Sequence, residues 1–123
     1  MPRKILVVDD EPAIGRLVKM SLVVEGYDVR TVTSGFEALE EIEKQKPDLI
    51  VLDVSMPGMN GYEVCANLKS NPQTKSIRIV FLTALGNSGD AQRGFAVGGD
   101  DYIIKPFDPD ELLAKVREII GPG

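Results

Sequence analysis

The chain contains no histidine and a single cysteine, Cys65. Zinc sites are built mainly from Cys and His clusters, so no zinc centre is expected. A lone cysteine cannot form an intrachain disulfide, and a reducing compartment, the cytoplasm, is expected. Excess positive charge is also missing. Against 14 Lys and Arg stand 19 Asp and Glu, for a net charge of −5. Nucleic-acid surfaces need a basic stripe, and anionic membranes attract basic segments; neither partner is expected to bind this chain directly. No apolar run approaches the roughly 20 residues of a membrane span. The run after Met1-Pro2-Arg3-Lys4 stops at Asp9, too short for a signal-peptide core and without a cleavage pattern. The closing Gly121-Pro122-Gly123 reads as a chain end or the start of a linker.

What is present fits one globular domain over residues 1–123, with 43% apolar and 27% charged residues. A domain of this size buries a core without disulfide or metal staples. Five short apolar runs alternate with five segments of helical pattern. The predicted strands are Ile5–Val8, Tyr27–Val32, Leu49–Leu52, Ile77–Leu82 and Tyr102–Ile104. The first and third are apolar without alternation, as in strands covered on both faces. The second alternates more and is expected nearer an edge.

Helices are predicted over Pro12–Glu25, Gly35–Lys46 and Tyr62–Ser70, and after Asp108. The first places Ile14, Leu17, Val18 and Leu22 on one face, with Gly26 as its stop. The second repeats Phe36, Leu39 and Ile42, carries Lys44 and Lys46 in its last turn, and ends at Pro47. The third carries Val64, Cys65 and Leu68. The last has Asp108 as cap and Pro109 in first position, with Leu112, Leu113, Val116, Ile119 and Ile120 facing inward. A further helical segment, Gly86–Gly99, contains five glycines. Each glycine costs about 1 kcal/mol against alanine in a helix interior, so this segment is expected to be the least stable. Strict βα alternation implies a parallel sheet with helices on both faces.

In such a sheet, ligands bind beyond the carboxyl ends of the strands. Asp9, Asp10 and Glu11 follow the first strand, Asp53 the third, Thr83 the fourth and Lys105 the fifth. Each alone is ordinary: an Asp pair caps a helix, an Asp or Thr turns a chain, a lysine sits in a loop. Their joint placement on one edge points to chemistry. Clustered carboxylates repel and raise each other's pKa unless a cation joins them. An all-oxygen cluster suits a hard cation, Mg²⁺ first and Mn²⁺ as an alternative. With Lys105, such a site can neutralise a phosphoryl group in transfer, with Asp53 as nucleophile.

Four motifs carry a resemblance over nearly the whole chain. They are Ile5-Leu6-Val7-Val8-Asp9-Asp10-Glu11, then Asp53-Val54-Ser55-Met56-Pro57-Gly58-Met59-Asn60-Gly61, then Phe81-Leu82-Thr83-Ala84, then Asp100-Asp101-Tyr102-Ile103-Ile104-Lys105-Pro106-Phe107. In this order and spacing the sequence resembles response-regulator receiver domains of the CheY-like superfamily. The resemblance implies a flavodoxin-like (βα)5 three-layer sandwich with strand order 2-1-3-4-5. It implies Asp53 as phosphoacceptor, and Asp10, Asp53 and the Ser55 backbone carbonyl as direct metal ligands, with Asp9 reaching the metal through water. It makes Thr83 the switch hydroxyl, Tyr102 the switch aromatic and Lys105 the phosphoryl partner, with a cis Lys105–Pro106 bond. Tyr102 also reads as an ordinary half-buried tyrosine, and Met56 and Met59 as loop packing.

The resemblance makes the chain a phosphorelay switch of a two-component system and not an enzyme with a separate substrate. Having no histidine, it cannot supply its own phosphohistidine, and the donor is expected to be a histidine kinase, a phosphotransfer protein or a small phosphodonor. Phosphorylation is expected to alter the surface of the fourth helical segment, fifth strand and last helix, which then meets a downstream protein or output domain, or a second copy as a phosphorylation-linked homodimer. The departures from the family are Ser55 and Leu85, whose side chains would flank the route of the hydrolytic water, and the Gly98-Gly99 pair. Leu85 is expected to hinder the hydrolytic water and lengthen the phosphoryl lifetime, and Gly98-Gly99 to loosen the end of the fourth segment. A haloacid-dehalogenase-like phosphatase would need a second Asp where Ser55 stands, and a cap domain. A flavodoxin-like cofactor binder would need a Ser/Thr/Gly loop where Asp9-Asp10-Glu11 stands. A receiver that has lost phosphorylation and only binds partners fits poorly with all the acidic and switch positions present.

Overall fold

Ile5–Val8 and Leu49–Leu52 carry no alternation because both their faces are covered. In the computed structural model, which describes residues 2–84 and 97–123, five strands form one parallel sheet. They are β1 (Lys4–Val8), β2 (Asp28–Val32), β3 (Leu49–Asp53), β4 (Arg78–Thr83) and β5 (Asp101–Ile104), in the order β2-β1-β3-β4-β5. The expected sandwich and strand order are found. The alternating second strand lies at the edge, and every residue of central β3 is buried.

Successive strand residues point to opposite faces, and this sorts the core into two layers. Leu6, Val8, Ile50, Leu52, Ile79 and Phe81 pack on one side, against α2 (Gly35–Lys44) and α3 (Gly61–Lys69). Ile5, Val7, Leu49, Val51, Val80, Leu82 and Ile103 pack on the other, against α1 (Pro12–Val23) and the C-terminal helix α4 (Pro109–Ile120). Each fully buried Leu, Ile or Val contributes about 1.5–3 kcal/mol, so these two layers dominate stability.

The helices meet the sheet along narrower stripes than their apolar patterns suggest. The buried residues of α1 are Gly15, Val18 and Leu22, and those of α2 are Gly35, Ala38 and Ile42. Both stripes run i, i+3, i+7 and begin with glycine; at Gly35 an added Cβ would stand 2.8 Å from the Val64 side chain of α3 and 3.1 Å from Met59 Cβ, so α2 starts close against that neighbour. Leu17, expected inside, is 45% exposed, and Phe36 is 58% exposed. Helix α2 ends at Lys44, so Lys46 lies beyond its last turn. The faces of α3 and α4 are as expected: Val64, Cys65, Leu68, Leu112 and Val116 are buried. Asp108 caps α4 by accepting the Asp110 amide at 2.8 Å. Residues 85–96, holding Leu85 and most of the Gly86–Gly99 segment, lie outside the described residues.

Candidate functional site

Register brings the first acidic residues together. β1 pairs with β3 through Val8 and Leu52, so Asp9 and Asp53, the residues that follow, emerge side by side. Thr83 ends β4, and Lys105 follows β5 with its amide bonded to the Thr83 carbonyl at 2.7 Å. The Lys105–Pro106 bond is cis, as the resemblance implies. Ligand oxygens of Asp9, Asp10 and Asp53 all lie within 4.8 Å of one another.

Burial marks the same edge. Among the described residues, the buried polar or charged side chains are Asp9, Asp53 and Thr83. The Lys105 ammonium stands between the two carboxylates, 2.9 Å from Asp9 Oδ2 and 3.3 Å from Asp53 Oδ1. Each carboxylate also accepts the amide two residues on: Glu11 N–H to Asp9 Oδ1 at 2.9 Å, and Ser55 N–H to Asp53 Oδ1 at 3.2 Å. Tyr102 lies within β5, half-buried, and packs against the core layer beneath α2 and α3. Met56 and Met59 pack against that layer too, as expected of loop residues.

The sequence profile described as "Response regulator receiver domain" matches residues 5–117. The chain belongs to that family. Phosphate regulon transcriptional regulatory protein PhoB of Rhizobium meliloti is 41% identical over 117 residues, which are 95% of this chain and 52% of that protein. Alkaline phosphatase synthesis transcriptional regulatory protein PhoP of Bacillus subtilis is 47% identical over 98% of this chain and 49% of that one. The receiver domain thus spans about half the length of the curated relatives it matches. Among solved structures, a putative response regulator from Chloroflexus aurantiacus superposes with a TM-score of 0.92 at 39% identity, covering 97% of this chain and 98% of that one. Chemotaxis protein CheY4 of Vibrio cholerae gives 0.93 at 35% identity, covering 98% and 100%.

The electrostatics of this receiver domain follow from burial. Burial pushes the Asp53 carboxyl up to about 6, and the Asp9 charge adds to the rise; Lys105 and the Ser55 amide oppose it. For Lys105, burial works against the ammonium, but its contacts with Asp9 and Asp53 outweigh it and hold the pKa above the ordinary value. Asp9 Oδ2 is buried and, apart from the Lys105 ion pair, has no hydrogen-bond partner among the described residues. One ammonium is therefore too little charge and too few donors for this edge. A hard cation fits that deficit, since the donors are all oxygen.

Two features of the site were not read from the sequence. Lys105 bridges both carboxylates, whereas the motif suggested only a partner for an incoming phosphoryl group. The loop after Asp53 closes on a capping box: Asn60 accepts the Glu63 amide at 2.9 Å and Glu63 accepts the Asn60 amide at 3.0 Å. The spacing Asn60-x-x-Glu63 is a legible signal for it. Cys65 has no place in the site. Burial pushes its thiol up to about 11, and Sγ lies 3.3 Å from the Val97 carbonyl, to which it donates.

Among the described residues, no helix is long and apolar enough to cross a membrane.

Proposed function

We propose that this receiver domain, over residues 1–123, is a Mg²⁺-dependent phosphoacceptor whose phosphorylated residue is Asp53. The observation that carries the reading is the coincidence of burial and charge: Asp9, Asp53 and Thr83 are buried at one sheet edge, with Lys105 across both carboxylates. Asp10, Asp53 and the Ser55 backbone carbonyl would hold the metal directly, and Asp9 through water; Mn²⁺ would serve in its place. The cation would neutralise the carboxylates and the charge of the transferring phosphoryl oxygens.

The protein's own groups supply the rest. The Ser55 amide fixes Asp53 Oδ1, orienting the carboxylate. A carboxylate oxygen bonds to phosphorus as the P–N bond of a donor phosphohistidine breaks, the electron pair leaving with the imidazole. With acetyl phosphate the P–O bond breaks and acetate leaves. Lys105 then turns from the carboxylates to the new phosphoryl oxygens, which carry more charge. Thr83 moves toward the same oxygens and Tyr102 follows inward. This biases an equilibrium between two arrangements of the surface that includes β5 and α4.

The donor is a histidine kinase or phosphotransfer protein, and the site of action is the cytoplasm. The partner of the altered surface is a downstream protein or output domain, consistent with relatives named as transcriptional regulators. A phosphorylation-linked homodimer through that surface belongs to the same reading, and sizing with and without beryllofluoride checks it. The central test is intact mass after incubation with acetyl phosphate and Mg²⁺. One Mg²⁺-dependent phosphoryl adduct is expected on the wild type and none on Asp53→Asn. A folded wild type that takes no adduct from acetyl phosphate or from a cognate donor would overturn the reading.

A further inference from the structure

The phosphoacceptor's backbone is held from behind by a residue that touches no ligand. Helix α3 begins at Gly61, and this first turn lies directly on the end of β3. A Cβ built on Gly61 would collide with the Asp53 carbonyl oxygen, and would stand 3.0 Å from both the Asp53 carbonyl carbon and the Val54 Cα. All three are backbone atoms, so no side-chain rotation relieves the clash. They are also tied down: the Val54 amide donates to the Leu82 carbonyl at 2.9 Å, and the Val54 carbonyl accepts the Gly61 amide at 3.1 Å. At the other end of the loop, the Asn60–Glu63 capping box fixes the helix start.

The only easy response to a methyl group at residue 61 is movement of the Asp53–Val54 peptide or of the helix start. Either displaces the Asp53 side chain relative to Lys105 and to the Ser55 amide that meets Asp53 Oδ1 at 3.2 Å. Misplacement of a reacting group by about 1 Å can cost on the order of 100-fold in rate.

We infer that Gly61 is a positioning residue: the absence of a side chain there lets α3 set the backbone of Asp53, and through it the carboxylate's place in the metal and phosphoryl site. This rests on the phosphoacceptor reading above. Gly61→Ala is compared with wild type and with Val116→Ala, a core truncation in α4 that weakens the fold away from this contact. Thermal midpoint, Mg²⁺ affinity by calorimetry and the rate of adduct formation with acetyl phosphate are measured. The Ser55 amide proton shift in metal-free protein reports directly on its bond to Asp53.

Expected for Gly61→Ala are a moved Ser55 amide, Mg²⁺ binding weakened about tenfold and an adduct rate lowered by about 10- to 100-fold. Val116→Ala should lower the midpoint yet keep the other three near wild type. If Gly61→Ala does not fold alone, the comparison is repeated in an osmolyte that strengthens burial. Failure to fold even there would overturn the inference, since the loss would be of the fold and not of Asp53's placement. So would a folded Gly61→Ala with Mg²⁺ affinity and rate within about twofold of wild type, or equal losses in Val116→Ala. Absence of an adduct on the wild type itself would sink the phosphoacceptor reading instead.

Discussion

Asp48 and Asp53 stand at the two ends of β3, one just before it and one as its last residue. Asp48 is exposed, and its carboxylate accepts the Lys4 amide at 2.8 Å, while its own amide and carbonyl join the starts of β1 and β4. It serves the sheet, and water screens its charge. Asp53 is buried, held beside Asp9, and raised to about 6. The same contrast separates the ion pairs. Arg78–Asp100, at the start of β4, has an arginine side chain 53% exposed, whereas Lys105 beside Asp9 is 16% exposed. The amino ends of the strands are closed with solvated polar groups. The carboxyl ends concentrate desolvated ones, which is where charge has the most leverage on chemistry.

The sharpest break of that comparison is chemical. Asp53→Asn should abolish the phosphoryl adduct entirely, while Asp48→Asn should leave it unchanged, both read by mass after acetyl phosphate and Mg²⁺. An adduct on Asp53→Asn would erase the difference between the two ends.

Next in size is the ion pair. Lys105→Met leaves two buried carboxylates without their cation and should lower stability by about 3 kcal/mol at pH 7.5 without metal, measured by urea unfolding. Added Mg²⁺ should restore part of that loss.

The third effect is the pH dependence of Asp53. Its pKa is about 6 in the folded protein against an ordinary value of 3.8, so the folded state holds the proton more tightly. Its contribution is fully present below about pH 4 and is lost as pH rises through 6, a change on the order of 2 kcal/mol. Subtracting the Asp53→Asn profile from that of the metal-free wild type should reveal this fall between pH 4 and 7. Asp53→Asn should accordingly be the more stable protein at pH 7.5. Mg²⁺, which needs the ionised carboxylate, should bind more tightly as pH rises from 5 to 7.

The smallest effect belongs to the exposed end. Arg78→Ala should cost about 0.5–1 kcal/mol and weaken in salt, as exposed pairs do. A loss as large as that of Lys105→Met would show the two ends to be alike after all.

Much of this was legible in the residues. Apolar runs without alternation marked β1 and β3 as covered on both faces, and alternation placed β2 nearer an edge. Asp9, Asp10, Asp53, Thr83 and Lys105 followed their strands directly, so a parallel sheet had to gather them on one side. Helix faces were less legible. Leu17 and Phe36 kept the apolar period yet face solvent, because the buried stripes run through Gly15, Val18 and Leu22 in α1 and through Gly35, Ala38 and Ile42 in α2. Periodicity counts apolar residues but is blind to a stripe that begins with glycine. The order 2-1-3-4-5 came from family resemblance, since alternation alone leaves several orders open.

By itself, then, the sequence determined which residues end the strands and what charge they bring, because strand ends and residue types are local properties. Only the tertiary structure decided how those charges feel one another. Strands lie about 4.8 Å apart, so β1 beside β3 sets Asp9 against Asp53, and only a side chain as long as lysine reaches them from β5 across β4. Burial then converts that proximity into a raised Asp53, an under-partnered Asp9 and a carbonyl pressed against Gly61, none of which is a property of any residue alone.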